Sequence, residues 1–568
     1  MADQKKKPRR LDSDVVVYRE FTGLRNDISP ERFDPTDLAI ATNVDIDKSQ
    51  SLMRRAGYTR RNAATAHSLW AEGSLGLFVS TTSLLRLNAD FTSTSVRAGL
   101  TNGARMSYSR VADRTYFSNG TDTGIYEGST TRSWGLPVPP LPAVTQVAGS
   151  FPPGAYQYVV TYFDAAGQES GAALAGSIQM GGNLGLTFTV PAAADPRVTS
   201  KGVYLSTPDG EIMYLAGVIA NATTTFSVLN ESDILALNLP LITQFLSAPP
   251  AGQLVGYYKG RMFVAVGDTL YPSEPNAYEL FDLRNYIALD GQITMLAPME
   301  DKSGAAAGFF LGTDRSCGIL SGSGPDDFEY VPKADYGAVF GALDYVDGAL
   351  YGDGSSGMRA LPMWLSTQGI CIGLASMEVN NLTRTKFSIP TSGQGAALFM
   401  PGPNRFIAVS QSPLAIAMHT EVQALTQYSN FAFNSFAQFN GGYLGATAAG
   451  VFELVGATDN AAPIVAVVRF GTTDFGTAFL KAIDRLYAGY RTVADMVVNL
   501  ITDETTTTSY PLLATAETGL HTARVKVGKH LSARYWQIEI TNPSGGDFDL
   551  DNIDVKTVRY QRRINGRA

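Results

Sequence analysis

Cysteine and histidine are both scarce in this chain of 568 residues, which has two cysteines and four histidines. Cys317 and Cys371 form no CxxC motif, so they predict no disulfide framework and are interpreted as small buried side chains. No histidine has a second His or Cys at the spacing of zinc ligands, and so few histidines disfavour a Ser-His-Asp triad. The four are His67, His419, His521 and His530.

Long apolar runs and charged residues are also scarce. No stretch approaches the roughly 20 apolar residues of a membrane-spanning helix, and the start MADQKKKPRRLDSD has no apolar signal core. We therefore expect no membrane span and synthesis in a cytoplasm. The formal net charge is -8, although residues 1–10 and 556–568 are both strongly basic. The acidic body between them is poorly suited to binding nucleic acid through phosphate neutralisation.

Glycine, aromatic and β-branched residues are abundant, and sustained helical periodicity is almost absent, which predicts an all-β protein. The stretch 258–275, YKGRMFVAVGDTLYPSEP, contains two apolar strands joined by a Gly267-Asp268 turn. Weaker copies recur, including a hairpin across Asn119-Gly120. About seven such units of roughly 40 residues favour an irregular β-propeller.

Two composition changes interrupt the repeats. LPVPPLP at 136–142 is a proline-rich linker, and alternating strands such as GAYQYVVTY at 154–162 then resemble an immunoglobulin or fibronectin-type sandwich. Strict alternation returns after residue 464, which predicts a second sandwich. The predicted organisation is an N-terminal arm (1–20), a first propeller part (21–136), an inserted sandwich (137–250), a second propeller part (251–460), and a C-terminal β-sandwich with a basic tail (461–568).

Several acidic residues are candidates for catalytic or metal-binding groups. Thr121–Tyr126 faintly resembles the Asp-box turn of sialidases, and Asp301 with Asp314 are candidates for lining a propeller channel. Asp326-Asp327 and four aspartates near the C-terminus suggest a calcium site, but the spacing after Gly546 does not match an EF-hand loop. Each has a simpler interpretation as a turn or exposed strand-edge residue. We therefore predict no catalytic, cofactor-binding or metal-binding residues. The C-terminal set is Asp547, Asp549, Asp551 and Asp554.

The stretch from Phe21 to Arg61 carries a family resemblance. It contains the patterns Gly-x-x-Asn, Asn-Val-Asp and Arg-x-Gly, which resemble the N-terminal signature of tail nozzle, or tail tubular, proteins of short-tailed bacteriophages. DFGTAFLKAIDRLYAGY, with Lys481, and RYWQIEITNPSGGDFDLDNIDV, with Trp536, resemble the closing sandwich of such proteins. The N-terminal matching positions are Gly23, Asn26, Asn43, Val44, Asp45, Arg55 and Gly57.

This resemblance implies a virion structural protein that is not an enzyme. Its homo-oligomeric ring, typically a hexamer, would lie below adaptor and head-to-tail connector proteins, near tail fibres or spikes, and conduct phage DNA without binding it specifically. The basic segments 1–20 and 556–568 are candidates for reaching neighbouring subunits. The alternatives are a receptor-binding or adhesin subunit that uses the inserted sandwich, and a propeller depolymerase or sialidase. Locally, Asp34 and Pro35 predict a short helix with Leu38 and Ala41 facing inward.

Overall fold

A computed structural model describes residues 11–351, 359–389, 391, 393–410, 415–514, 519, 521–528 and 531–560 of the protein. Strands make up 56% of the chain and helices 2%, which confirms the all-β class. Helical structure in the described part is limited to three short segments. These are Pro30–Arg32 (a 3-10 helix), Glu231–Leu235 and Gly348–Tyr351.

The chain divides into two compact units. The first comprises residues 1–103, 299–319 and 332–568, and the second comprises residues 104–298 and 320–331. Both ends of the chain therefore belong to the first unit.

A six-stranded sheet, which we call the terminal sheet, joins the two ends of the chain. Leu11–Tyr18 pairs antiparallel with Phe548–Arg559, from Leu11 opposite Arg559 to Tyr18 opposite Ile553. An ion pair between Asp14 and Arg559 lies across these strands. The strands of this sheet are Leu11–Tyr18, Val44–Ile46, Leu52–Arg54, Lys481–Thr492, His521–Lys526 and Phe548–Arg559.

These strand pairings correct three expectations about the predicted domain organisation. Residues 11–18 are not a free arm, and residues 556–559 are not a free tail, because they form neighbouring strands of one sheet. Asp37–Thr42 and Leu52–Arg54, assigned from the sequence to the propeller, each pair with a strand from the C-terminal part. The other residues of the predicted arm and tail, 1–10 and 561–568, lie outside the described residues.

The second large sheet of the first unit has ten strands, and N-terminal strands stand in its middle. Gly23–Leu24 pairs parallel with Asp37–Thr42, and Asp37–Thr42 pairs antiparallel with Val467–Phe470 on its other side. The sheet thereby joins a four-strand meander at one end to C-terminal strands at the other. In sheet order its strands are Ala396–Met400, Arg405–Val409, Ala415–His419, Leu425–Tyr428, Gly23–Leu24, Asp37–Thr42, Val467–Phe470, Trp536–Thr541, Met496–Thr502 and Thr506–Leu512.

Asp37–Thr42 is the strand in place of the predicted Asp34 helix, so that expectation is wrong. Leu38 and Ala41 are nevertheless fully buried, as expected. The apolar residues were identified correctly, but three-residue spacing in so short a segment does not distinguish a helix from a strand with an irregular register. A register shift does occur in this strand, between Leu38 and Ile40.

Three further four-stranded sheets belong to the first unit. In one, Thr59–Asn62 pairs with the last strand of a meander that lies almost 400 residues later in the chain. The sheets are His67–Glu72, Leu75–Ser80, Ser83–Leu87 and Ser93–Arg97; Ala338–Asp347, Ala360–Ser366, Gly369–Gly373 and Val379–Asn381; and Ser435–Phe439, Gly442–Thr447, Gly450–Glu453 and Thr59–Asn62.

The meanders of this unit are neighbours through their first strands. Ser435–Phe439 lies beside His67–Glu72 on one side and beside Ala396–Met400 on the other. Ala396–Met400 in turn lies beside Ala338–Asp347. Phe439 and Leu444 share a buried apolar cluster with Phe78, so the successive sheets pack face to face.

The second unit contains two meanders and a pair of sheets. The predicted strands of the 258–275 repeat and the predicted hairpin at Asn119-Gly120 are confirmed. One meander is Ser107–Val111, Arg114–Ser118, Thr123–Glu127 and Thr130–Arg132. The other is Leu254–Tyr258, Arg261–Val266, Thr269–Glu274 and Ala277–Asp282, with Leu246–Ser247 and Ile287–Ala288 at its margins. A further four-stranded sheet, whose residues are divided between the two units, comprises Ile293–Glu300, Ala306–Thr313, Cys317–Ser321 and Glu329–Ala334.

The paired sheets, which we call the double sheet, share one core. Phe188 and Val228 from the three-stranded sheet pack with Tyr156, Val160 and Leu205 from the four-stranded sheet. The alternation read in the sequence at 154–162 thus places Tyr156 and Val160 inward. The sheets are Ala143–Phe151, Leu184–Thr189 and Thr225–Val228; and Gly176–Met180, Gly154–Asp164, Val198–Ser206 and Met213–Ala220.

Candidate functional site

Three residues of the N-terminal signature, Asn43, Asp45 and Arg55, come together in a buried polar network, which we call the signature junction. Asn43 has a left-handed backbone (φ 57°), a conformation that asparagine tolerates better than most residues. Its amide donates to the Ser429 hydroxyl and the Val465 carbonyl, both at 2.7 Å. Its side-chain oxygen accepts from the Ser429 backbone amide and from Arg55 Nε, both at 2.9 Å. One asparagine thus connects three distant parts of the first unit.

Arg55 is the central cation of the signature junction and is only 1% exposed. Its guanidinium donates two bonds to Asp459, at 2.8 and 2.6 Å, and a third to the Ser429 carbonyl at 2.9 Å. It also lies 5.3 Å from the ring centres of both Tyr428 and Phe431. This geometry satisfies the charge and leaves the planar faces against aromatic rings, as buried arginine requires.

Asp45 forms a second buried ion pair beside the first. Arg405 donates to its carboxylate at 2.7 Å, and the Tyr428 hydroxyl donates to its other oxygen. Burial raises the pKa of Tyr428 well above its usual value, so this hydroxyl stays protonated as a donor. Tyr428 therefore contacts both ion pairs, since its ring also faces Arg55.

A third cluster anchors the beginning of the segment. Asp37 is buried and accepts from the Thr22 hydroxyl at 2.7 Å and from Arg25 at 3.0 Å, with Lys386 Nζ at 3.2 Å. Burial opposes ionisation of Asp37, but these bonds and the cationic charge outweigh it and hold its pKa below the usual value. Asn26 adds bonds to the backbone of Ser388, at 2.9 and 2.7 Å.

The two signature glycines allow close backbone approach. A Cβ on Gly57 would lie 2.0 Å from the Thr458 carbonyl oxygen, and a Cβ on Gly23 would lie 2.4 Å from the Leu425 amide nitrogen. Gly23 also has a positive φ of 88°. Only glycine fits at these positions, which explains the two glycines of the signature.

The C-terminal motif forms a separate buried site around Lys481. Its ammonium group donates to the carbonyls of Thr477, Phe479 and Arg534 at 2.7 to 3.1 Å. Burial lowers the pKa of Lys481 to about 8. Trp536 is fully buried and begins the strand Trp536–Thr541, but the long strand near the end is Phe548–Arg559.

Several of the acidic residues singled out in the sequence bond within their own local structure. The Asp301 carboxylate accepts from the amides of Ser303 and Ala305, and the pKa of Asp301 is lowered by bonds from Ser303 and Ala305. Asp327 caps the 321–324 turn in the same way, through Ser323 and Gly324.

The remaining acids also organise local structure. Asp122 accepts from the Asn119 amide at 3.0 Å, within the hairpin turn. In the C-terminal set, Asp547 pairs with Arg54, Asp549 with Arg491 and Asp554 with Arg19, while Asp551 accepts from Ser51. No group of three or more candidate metal ligands occurs in the described part of the chain. The described residues also include no helix long and apolar enough to cross a membrane.

Both cysteines and three of the four histidines lie in the described part of the chain. Cys317 and Cys371 are both fully buried, and burial raises the pKa of each thiol, that of Cys371 to about 11. His419 is buried, His67 bonds to Ser68, and His521 is exposed. His530 lies outside the described residues.

The signature junction is therefore a structural site built from saturated ion pairs. The short motifs Asn-Val-Asp and Arg-x-Gly identify Asn43, Asp45 and Arg55 in the sequence, but they identify none of the residues that these three contact. Asp459, Arg405 and Lys386 carried no recognisable pattern. Comparison with known protein families and with curated protein sequences finds no match for this chain.

Proposed function

We propose that the seven four-stranded meanders form a seven-bladed β-propeller, interrupted by an immunoglobulin or fibronectin-like sandwich at the double sheet. The observation that carries this proposal is the sheet shared by Thr59–Asn62 and residues 435–453. An early strand that completes the last meander links the two ends of a propeller ring. The side-by-side first strands of successive meanders support the same arrangement.

We further propose that this protein is the nozzle subunit of a short phage tail, located in the virion and made in the host cytoplasm. The resemblance of residues 21–61 to nozzle proteins supports this, and three of the matching residues, Asn43, Asp45 and Arg55, meet in one buried network. A nozzle must keep its shape while DNA passes under pressure. Tying the N-terminal segment to the C-terminal sheets through buried ion pairs suits a rigid subunit.

The charge distribution supports a channel for DNA. The formal net charge of -8 includes the basic ends, so the body is more acidic than this value. An acidic lumen repels phosphates, and DNA can then slide through without being held. A closed hexameric ring of such subunits would contact adaptor proteins on one face and fibres or spikes on its rim.

The candidate acids support a structural role over an enzymatic one. Asp301 and Asp327 are engaged in separate turns, and the C-terminal carboxylates pair with different partners. A glycosidase would instead bring two carboxylates together across a substrate site.

Electron microscopy of the purified full chain tests the proposal. We expect a six-fold ring with a central pore, alone or after addition of the adaptor protein. A compact monomer that cleaves capsular polysaccharide would overturn it. A monomer that binds host cells without cleaving glycan would favour the adhesin alternative.

A further inference from the structure

The double sheet carries an exposed apolar segment, which we call the apolar strip, at residues 235–242. Its sequence, LALNLPLI, has no charged residue. Leu237 and Leu239 are about half exposed, at 50% and 52%, and Ile242 is 80% exposed. Scattered exposed apolar residues are ordinary, but several within eight residues mark an interaction surface.

The apolar strip is held in place by the body of the double sheet. The Leu239 carbonyl accepts from the Leu215 amide at 2.9 Å, and the Leu241 amide donates to the Met213 carbonyl at 2.8 Å. Just before the strip, Ile234 is fully buried in the core of the double sheet. The exposed leucines are therefore presented by an ordered segment, which lowers the entropic cost of binding.

The apolar surface extends to Ile212, which directly precedes the neighbouring strand Met213–Ala220. Tyr214 forms an antiparallel bridge with Pro240, and this register places Ile212 opposite Ile242. Ile212 is itself 56% exposed. The two isoleucines widen the surface across the sheet edge, so a partner can contact more than one chain segment.

The double sheet that carries the apolar strip is acidic as a whole. Residues 137–250 contain seven carboxylates and two basic residues. Lys201 is buried and donates to three backbone carbonyls, and Arg197 pairs with Asp195 at 2.7 Å. Glu211 is exposed next to Ile212. Beyond the sandwich, Arg284 stacks on Phe245 and is paired with Asp282.

We propose that the apolar strip is a docking site for a partner protein that presents apolar side chains flanked by lysine or arginine. Charge complementarity selects this occupant, because a basic rim matches the acidic double sheet and the exposed Glu211 beside Ile212. A second copy of the double sheet would bring like charge, and anionic lipid headgroups would be repelled. The inference does not depend on the proposed ring.

Fluorescence anisotropy with a labelled peptide of alternating leucine and lysine tests this on the full chain. We expect the peptide to bind the natural protein and to bind the L237S/L239S variant at least 10-fold more weakly. V493S/L513S is the matched control, because these exposed residues lie in the first unit, and it should bind normally. If L237S/L239S lowers the melting temperature, L235S/I242S replaces it.

Two further peptides separate apolar from electrostatic binding. A serine-lysine peptide and a leucine-glutamate peptide should both bind much more weakly than the leucine-lysine peptide. Equal binding by either peptide, or equal affinity of both protein variants, would overturn the proposal. Self-association in sedimentation velocity that L237S/L239S abolishes would also overturn the proposal, because the occupant would then be a second copy. Binding to phosphatidylglycerol vesicles that L237S/L239S abolishes would overturn it as well, because the occupant would then be a membrane.

Discussion

Replacing Arg55 by methionine should release the N-terminal segment from the rest of the first unit. Arg55 donates five hydrogen bonds, to Asn43, Asp459 (two), Ser429 and Ala56. Asp459 is 5% exposed, so the variant would leave a buried carboxylate without its cation. Breaking one side of a buried ion pair costs about 3–5 kcal/mol, and we expect that loss in the free energy of unfolding.

Two measurements report this loss. Urea denaturation followed by tryptophan fluorescence gives the free energy of unfolding, and three of the four tryptophans, Trp70, Trp364 and Trp536, lie in the first unit. Hydrogen exchange should show local opening of Val44–Ile46 and Leu52–Arg54, with protection reduced roughly 100-fold or more, since each factor of ten corresponds to about 1.4 kcal/mol. The double variant R55M/D459L removes the unpaired carboxylate as well. It should therefore recover about 2 kcal/mol relative to R55M alone.

The matched control is Arg61→Met, six residues later in the same segment. Arg61 pairs with Glu453 at 2.6 Å, but its side chain is 42% exposed. An exposed pair of this kind contributes at most about 1 kcal/mol, so R61M should unfold almost like the natural protein. If R55M costs no more than R61M, apolar burial holds the segment and our account of the signature junction is wrong.

Two further predictions concern neighbouring positions. The pKa of Asp37 is lowered in the folded protein, so its stabilising contribution is present above the ordinary aspartate pKa of about 3.9 and is lost as pH falls through the lower folded value. Melting temperatures of the natural protein should fall over that acidic range more steeply than those of Asp37→Asn, and parallel curves would contradict this. Gly57→Ala should cost about 3 kcal/mol or more, because its Cβ would lie 2.0 Å from the Thr458 carbonyl oxygen, whereas Gly181→Ala meets nothing within 4 Å. Equal urea midpoints for the two alanine variants would refute the steric argument.

Local pattern predicted the strands well wherever polar and apolar residues alternate. Trp536, Ile538 and Ile540 are buried as expected. Val525 is buried on the strand His521–Lys526, whose Arg524 and Lys526 are exposed, and Val527 is buried directly after it. The sequence also predicted that Asp122 belongs to a hairpin turn, and Asp122 accepts from Asn119 within that turn.

Local pattern failed where pairing joins distant residues. Lys481–Thr492 and Phe548–Arg559 form the longest ladder of the terminal sheet, yet neither was recognised as a long strand. Charged residues such as Arg485, Lys556 and Arg559 interrupt their apolar alternation. The sequence consequently predicts a basic tail where residues 556–559 form part of a strand.

The sequence by itself determined the all-β class, the repeated hairpins and the glycines and polar residues of the N-terminal signature. These depend on alternation, turn chemistry and short motifs, which act over a few residues. Only the tertiary structure decided that Leu11–Tyr18 pairs with Phe548–Arg559, and that Arg55 meets Asp459. Such contacts depend on which distant strands can bury their apolar faces together and satisfy each other's charges. That selection occurs across hundreds of residues and leaves no local pattern.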